Sequence, residues 1–333
     1  MLKYVIRRLL TMIPMIIMVS MISFFLIELP PGDFMTTQIA NWELQGLQVS
    51  QQEIDAMVRR FGLDQPLHMR YITWMRRLVI DQELGFSYQY QRPVKQLLAE
   101  RLPATMALTI VALVTSWVLA IPIGIYSATH QYSLFDYVFT TIGFIGMGSP
   151  GFLIALIAAW ISIRYFNFSP IGLMSVQYMG EPWTIAKWLD VLRHVWFPIM
   201  IMALGGTGGL MRVMRNNLLD ELGKQYVVTA RAKGVKFSKL LLKYPVRLAL
   251  NPVIVGTAGI LPALFAGEGL IAIVLGLDTI GPLLLMAVMQ QDMYLAGSIL
   301  TILGALIMLG NFFSDILLAA VDPRVRLGAG VVR

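Results

Sequence analysis

Six long apolar runs punctuate this sequence, at 9–27, 104–129, 137–163, 195–214, 248–266 and 295–321. A helix needs about 20 apolar residues to cross the hydrocarbon of a bilayer, and these runs meet or approach that length. In lipid the backbone must satisfy its own hydrogen bonds, so each run is expected to be helical. The pattern predicts an all-α polytopic membrane protein with six transmembrane helices. Composition agrees: 57% of the residues are hydrophobic, 14% are charged, and the mean hydropathy is +0.70. The net charge of +7 is explained by cations in cytoplasmic loops rather than by nucleic-acid binding. With no cysteine, the chain has no disulfide, thiolate metal site or cysteine nucleophile. His68, His130 and His194 are scattered without metal-ligand spacing, and no convergent catalytic constellation is visible.

Residues 1–29 read as a short basic N-terminus (Lys3, Arg7, Arg8) followed by a retained first span rather than a cleaved signal peptide. Residues 30–103 are polar and balanced in charge, as expected of a small extramembrane domain between spans one and two. Ser50 to Glu53 fits a capping box, Gly62 would end the helix it starts, and a second helix is expected over 66–80. The remainder, 104–333, forms the core. Its third span carries Gly143, Gly146, Gly148, Pro150 and Gly151, residues suited to close helix packing or to a broken helix lining a cavity. An aromatic-rich loop is expected over 164–193. The run Gly205-Gly-Thr-Gly-Gly209 follows no strand, and Gly223-Lys224 is followed by Gln225, so no Walker A pattern appears. Residues 267–291 are apolar but broken by Gly276, Gly281 and Pro282. Asn311 and Asp315 share a helix face, where Asp315 suits an ion pair with Arg324 or Arg326, or alternatively a proton relay.

The longest polar interruption of the second half is basic. From Arg212 to Arg247 it carries nine cations (Arg212, Arg215, Lys224, Arg231, Lys233, Lys236, Lys239, Lys243, Arg247) against Asp220 and Glu221. A helix is expected over 218–233, with Gly234 in the left-handed position just past its end. Ser238 would then cap a second helix running towards Pro252.

Tyr226-Val-Val-Thr-Ala-Arg-Ala-Lys-Gly234, Leu241-Leu-Lys-Tyr-Pro-Val-Arg247 and Asn251-Pro252 resemble the permease subunits of binding-protein-dependent ABC importers, in the dipeptide/oligopeptide branch. Tyr4-Val-Ile-Arg-Arg-Leu-Leu, Pro31-Gly-Asp33, Phe61-Gly-Leu-Asp-Gln-Pro66 and Arg101-Leu-Pro-Ala-Thr105 extend the resemblance over nearly the whole chain. It implies a type I importer permease in a bacterial or archaeal inner membrane, with both termini cytoplasmic, the 30–103 domain outside, and over 267–291 an outer-side re-entrant or surface helix whose Glu268 and Asp278 would face water. It implies a cytoplasmic coupling loop at 215–247, whose Tyr226, Thr229, Ala230, Arg231, Ala232, Lys233, Gly234 and Val235 dock on an ATPase. Val228 stands where the wider superfamily often has an acid. The implied partners are a second permease, two ATPase subunits that bind ATP and Mg, and an external binding protein; this chain itself needs no cofactor. Peptides, oligosaccharides and nickel all remain open as cargo. A self-sufficient secondary carrier is the alternative class, with Asp315 as its carboxylate.

Overall fold

The computed structural model describes residues 2–28, 50, 64–81, 83–87 and 89–321. Its elements, in order, are α1 (Leu2–Glu28), α2 (Leu67–Arg76), β1 (Phe86–Ser87), β2 (Arg92–Pro93), α3 (Val94–Thr129), α4 (Leu134–Gly148), α5 (Gly151–Phe166) and α6 (Ile185–Leu222). After these come α7 (Gln225–Ala232), α8 (Phe237–Lys243), α9 (Pro245–Val274), α10 (Ile280–Met289) and α11 (Met293–Val321). Among the described residues, four helices are long and apolar enough to cross a membrane, within α1, α3, α6 and α11. The bent pair α4–α5, counted as one broken span, would be a fifth. The remaining run predicted by sequence falls in α9, whose side chains at 257–263 lie outside the description. The capping box at Ser50, the stop at Gly62 and the tail with Arg324 and Arg326 lie outside it too.

Two expectations are corrected and one open alternative is decided. The third span is the broken helix that its glycines and Pro150 allowed: α4 and α5 meet at 113°. Pro150 drives its neighbour out of the helical region, and Ser149 is extended at φ −103, ψ 139. The apolar pattern ran across this break because both sides of it are apolar. Next, α9 does not stop near residue 266 but continues to Val274. A glycine inside a helix costs only about 1 kcal/mol, so Gly267 does not end it. Gly276 does, at φ +59, with Gly276 N–H on Ile273 C=O and Leu277 N–H on Ala272 C=O. Finally, α3 begins at Val94, so the boundary at residue 103 falls inside a helix; α6 likewise begins at Ile185, within the predicted loop. Thr184 caps α6, its hydroxyl accepting the Lys187 N–H at 3.3 Å.

The structure forms two compact units. One comprises residues 1–9, 105–278 and 309–333. Its core is built from Leu108, Ala112, Ala155, Ala159, Phe197, Ile201 and Ile271, and further along from Ala120, Met211, Met214, Leu218, Val246 and Val253. Small residues let these helices approach closely. A Cβ at Gly143 would stand 3.2 Å from the Gly208 Cα, and one at Gly146 would stand 2.9 Å from the Leu204 carbonyl oxygen. For these two glycines, close packing is the role the structure assigns.

The other unit comprises 10–104 and 279–308. Its core sets Val94, Leu97 and Leu98 of α3 against Ile280, Leu283, Leu295 and Ile299. Phe24 of α1 stacks on buried Trp74 of α2 at 5.6 Å, and Ser20 hydrogen-bonds the Tyr71 hydroxyl at 2.9 Å. Asp292 is fully buried and caps α11, accepting the Leu295 N–H at 3.3 Å. The same carboxylate accepts from the Ser87 hydroxyl at 2.5 Å and the Gln89 N–H at 3.2 Å, which fastens the β1–β2 hairpin to the helix start.

Candidate functional site

The basic stretch folds as two short helices around a glycine bend. The single helix expected over 218–233 is instead two: α6 runs to Leu222, and Lys224 is extended (φ −78, ψ 149) before α7 begins. Glu221 secures this junction, taking the Lys224 ammonium at 2.5 Å and the Tyr226 hydroxyl at 2.7 Å. Burial, and then the bond to Glu221, hold the Tyr226 phenol above the usual tyrosine range. It therefore stays protonated and keeps donating at physiological pH. Buried Val227 roots α7, and buried Leu240 roots α8.

The end of α7 is a Schellman turn. Gly234 N–H bonds Arg231 C=O at 2.9 Å, Val235 N–H bonds Ala230 C=O at 3.2 Å, and Gly234 sits at φ +76. A Cβ at Gly234 would meet nothing within 4 Å. Backbone conformation, not crowding, is what requires glycine here. Ser238 does not cap α8; Lys236 holds the N-cap position and the helix already starts at Phe237. Across the bend, the Arg231 guanidinium lies 5.0 Å from the Phe237 ring centroid.

The predicted residues separate by face. Tyr226, Thr229, Ala230 and Lys233 recur at helical spacing and, with Gly234 and Val235, line one open depression of about 1180 Å³. Lys236, Lys239, Lys243 and Arg247 line it as well. Arg231 and Ala232 are exposed but lie outside that depression, and Val228 is exposed too. The nine cations are thus not equivalent. Arg215 pairs with buried Asp136 at 3.2 Å, Arg212 lies over the Phe144 ring, and Lys224 is held by Glu221. Five cations remain around the depression, a surface suited to an acidic partner.

Sequence reasoning missed the Asp136–Arg215 pair, because the two residues are 79 positions apart. It placed Asp315 correctly in an ion pair: Arg8 of α1 lies at 3.0 Å, while the expected partners Arg324 and Arg326 lie outside the described residues. Glu268 departs furthest from expectation. It does not face water but is 2% exposed, and it lines a cavity of about 630 Å³ walled by α4, α5, α6 and α9. Because α9 continues past Gly267, Glu268 stays inside the helix packing. Ser149, at the α4–α5 break, lines the same cavity.

Long apolar helices, a broken span, a cavity with a buried carboxylate and a basic helix–bend–helix element define the class: a polytopic membrane transport subunit. The family follows from comparison. Residues 120–327 match the family described as binding-protein-dependent transport system inner membrane component, and residues 1–109 match the family's N-terminal membrane-component model. The chain belongs to this family. It is 31% identical over 323 residues to the oligopeptide transport system permease protein AppB of Bacillus subtilis, covering 97% of this chain and 98% of that one. The inner membrane ABC transporter permease protein YejB of Escherichia coli O157:H7 is 31% identical, covering 97% of this chain and 98% of its own. The oligopeptide transport system permease protein OppB of Mycobacterium tuberculosis is 30% identical, covering 98% and 99%.

Proposed function

We propose that this chain is the permease subunit of an ATP-driven, binding-protein-dependent importer in the inner membrane, and that its cargo is peptide. The carrying observation is end-to-end similarity to permeases named for oligopeptide transport. That similarity favours peptides over oligosaccharides or nickel. The chain forms half of a translocation pathway and pairs with a second, homologous permease. Six spans cross the membrane, with α4–α5 as a broken third and α9 as the fifth, and both termini are cytoplasmic. Two ATPase subunits bind ATP and Mg and dock on the α7–Gly234–α8 element through Tyr226, Thr229, Ala230, Arg231, Ala232, Lys233, Gly234 and Val235. The five cations at its depression support that reading, as does a bend whose glycine no packing demands. Closure of the ATPases would draw these elements together and turn the cavity outward, towards the loaded binding protein.

Asp315, the carboxylate a self-sufficient carrier would use, lies 3.0 Å from the Arg8 guanidinium, which supports a structural pair. The deciding assay is peptide uptake into proteoliposomes holding both permeases and both ATPases. Uptake is expected to require ATP and the binding protein together. Uptake driven by an ion gradient without ATP would overturn the proposal.

A further inference from the structure

A second groove runs between α4 and α6, and its side chains are sorted along its length. Its volume is about 310 Å³, at the small end of the range for small-molecule sites. One end is polar, lined by Tyr132, Asp136, Tyr137, Arg212, Arg215 and Asn216. The other is apolar, lined by Gly143, Phe144, Met147, Gly208 and Met211. From Asp136 to Met147 the helix rises about 16 Å. The polar end adjoins the turn between α3 and α4, where the chain leaves one apolar helix and enters the next. That turn belongs at a membrane surface, and the apolar end then extends towards the hydrocarbon.

Two observations at the polar end point to an anion. Asp136 is buried, and it accepts from the Tyr132 N–H at 3.0 Å, the Thr140 hydroxyl at 3.4 Å and the Arg215 guanidinium at 3.2 Å. This pairing neutralises one of the two arginines. Among the described residues no carboxylate pairs with the other, Arg212, whose guanidinium lies 5.7 Å from the Phe144 ring centroid. The second observation is that Arg215 Nε is buried without a hydrogen-bond acceptor, a cost that a bound anion would remove. Tyr132 and Tyr137 are both exposed beside these arginines. They add hydroxyl donors on aromatic rings of the kind that sit at headgroup level.

We infer that this groove binds one anionic phospholipid, its phosphate at Arg212 and Arg215 and an acyl chain along Phe144 and Met147. A basic pocket between membrane helices suits an anionic headgroup. The order of polarity along the groove matches an amphiphile, whereas free phosphate would use the polar end alone. The bound lipid braces α4 against α6 shortly before α6 ends at Leu222. The inference holds whatever the cargo.

The test uses the assembled importer, with both permeases and both ATPases, in detergent with added lipid. Native mass spectrometry counts the lipid retained. Dioleoyl phosphatidylglycerol should be kept in preference to phosphatidylcholine with the same chains. Arg212→Gln is expected to weaken that retention about tenfold or more, the scale of one charge-assisted hydrogen bond. Arg212→Lys should keep most of it, and Met147→Trp, which fills the apolar end, should also expel the lipid. Retention by Arg212→Gln at the native level overturns the assignment. Equal retention of phosphatidylcholine does so too, by making the groove merely apolar. Displacement of the lipid by millimolar inorganic phosphate would give the polar end to free phosphate, against the inference. Phosphatidylglycerol held by the isolated permease but not by the assembled complex would mean that a partner subunit covers the groove, which also overturns it. If Arg212→Gln fails to assemble, Met147→Trp decides, and lipid retained there at the native level overturns the inference.

Discussion

Gly234 shows how one residue can be indispensable without being crowded. Its φ of +76 closes a Schellman turn, and the space around it is empty. Substitution therefore tests conformation alone. Gly234→Val costs at least about 1–2 kcal/mol in the left-handed region, whereas Asn visits that region readily. The Val variant is expected to reach the membrane at normal levels but to lose co-purifying ATPase and stimulated hydrolysis, while Gly234→Asn keeps both. Full stimulation in the Val variant would make the bend irrelevant to docking. The Arg8–Asp315 pair makes a different prediction. Both partners are partly exposed, and such pairs contribute about 1 kcal/mol or less. Asp315→Asn should lower yield slightly, leave uptake per assembled complex intact, and be compensated by exchanging the two residues. Loss of uptake at normal yield would restore Asp315 as a relay.

At the scale of elements, one carboxylate makes three of the bonds that fasten β1–β2 to α11 and cap that helix. Asp292→Ala removes the acceptor of the Ser87 hydroxyl proton and of the Gln89 and Leu295 amides together, a cost of at least about 2 kcal/mol. Faster proteolysis of the hairpin and a lower unfolding temperature in detergent are expected, with ATPase co-purification preserved because α7 and α8 are untouched. Unchanged proteolysis would show that the hairpin is held by other contacts. Sequence periodicity located the long helices, because apolar length alone identifies a span. It also located the Gly234 bend, because glycine after a basic helix end has a specific backbone use. It misjudged continuity. The break at Pro150 was open in the sequence only as an alternative, because both sides of it are equally apolar, while Gly267, with helix on both sides, broke nothing. The burial of Glu268 was beyond its reach, since nothing local distinguishes a carboxylate facing water from one turned into a cavity by three other helices. The grouping of nine cations hid their differences for the same reason: the partners of Arg212 and Arg215 lie on α4, far away in sequence.

For the molecule as a whole, the account requires that one end of the helical assembly face the ATPases and that the α7–Gly234–α8 element lie there. The absence of cysteine makes this directly measurable with single replacements. Val228 is exposed on α7, and Gln89 is exposed in the β1–β2 hairpin. In intact spheroplasts a membrane-impermeant thiol reagent should label Gln89→Cys and spare Val228→Cys. After permeabilisation it should label Val228→Cys in the isolated permease and much less when the ATPase subunits are bound. Labelling of Val228→Cys from outside, or equal labelling with and without the ATPases, would contradict the account.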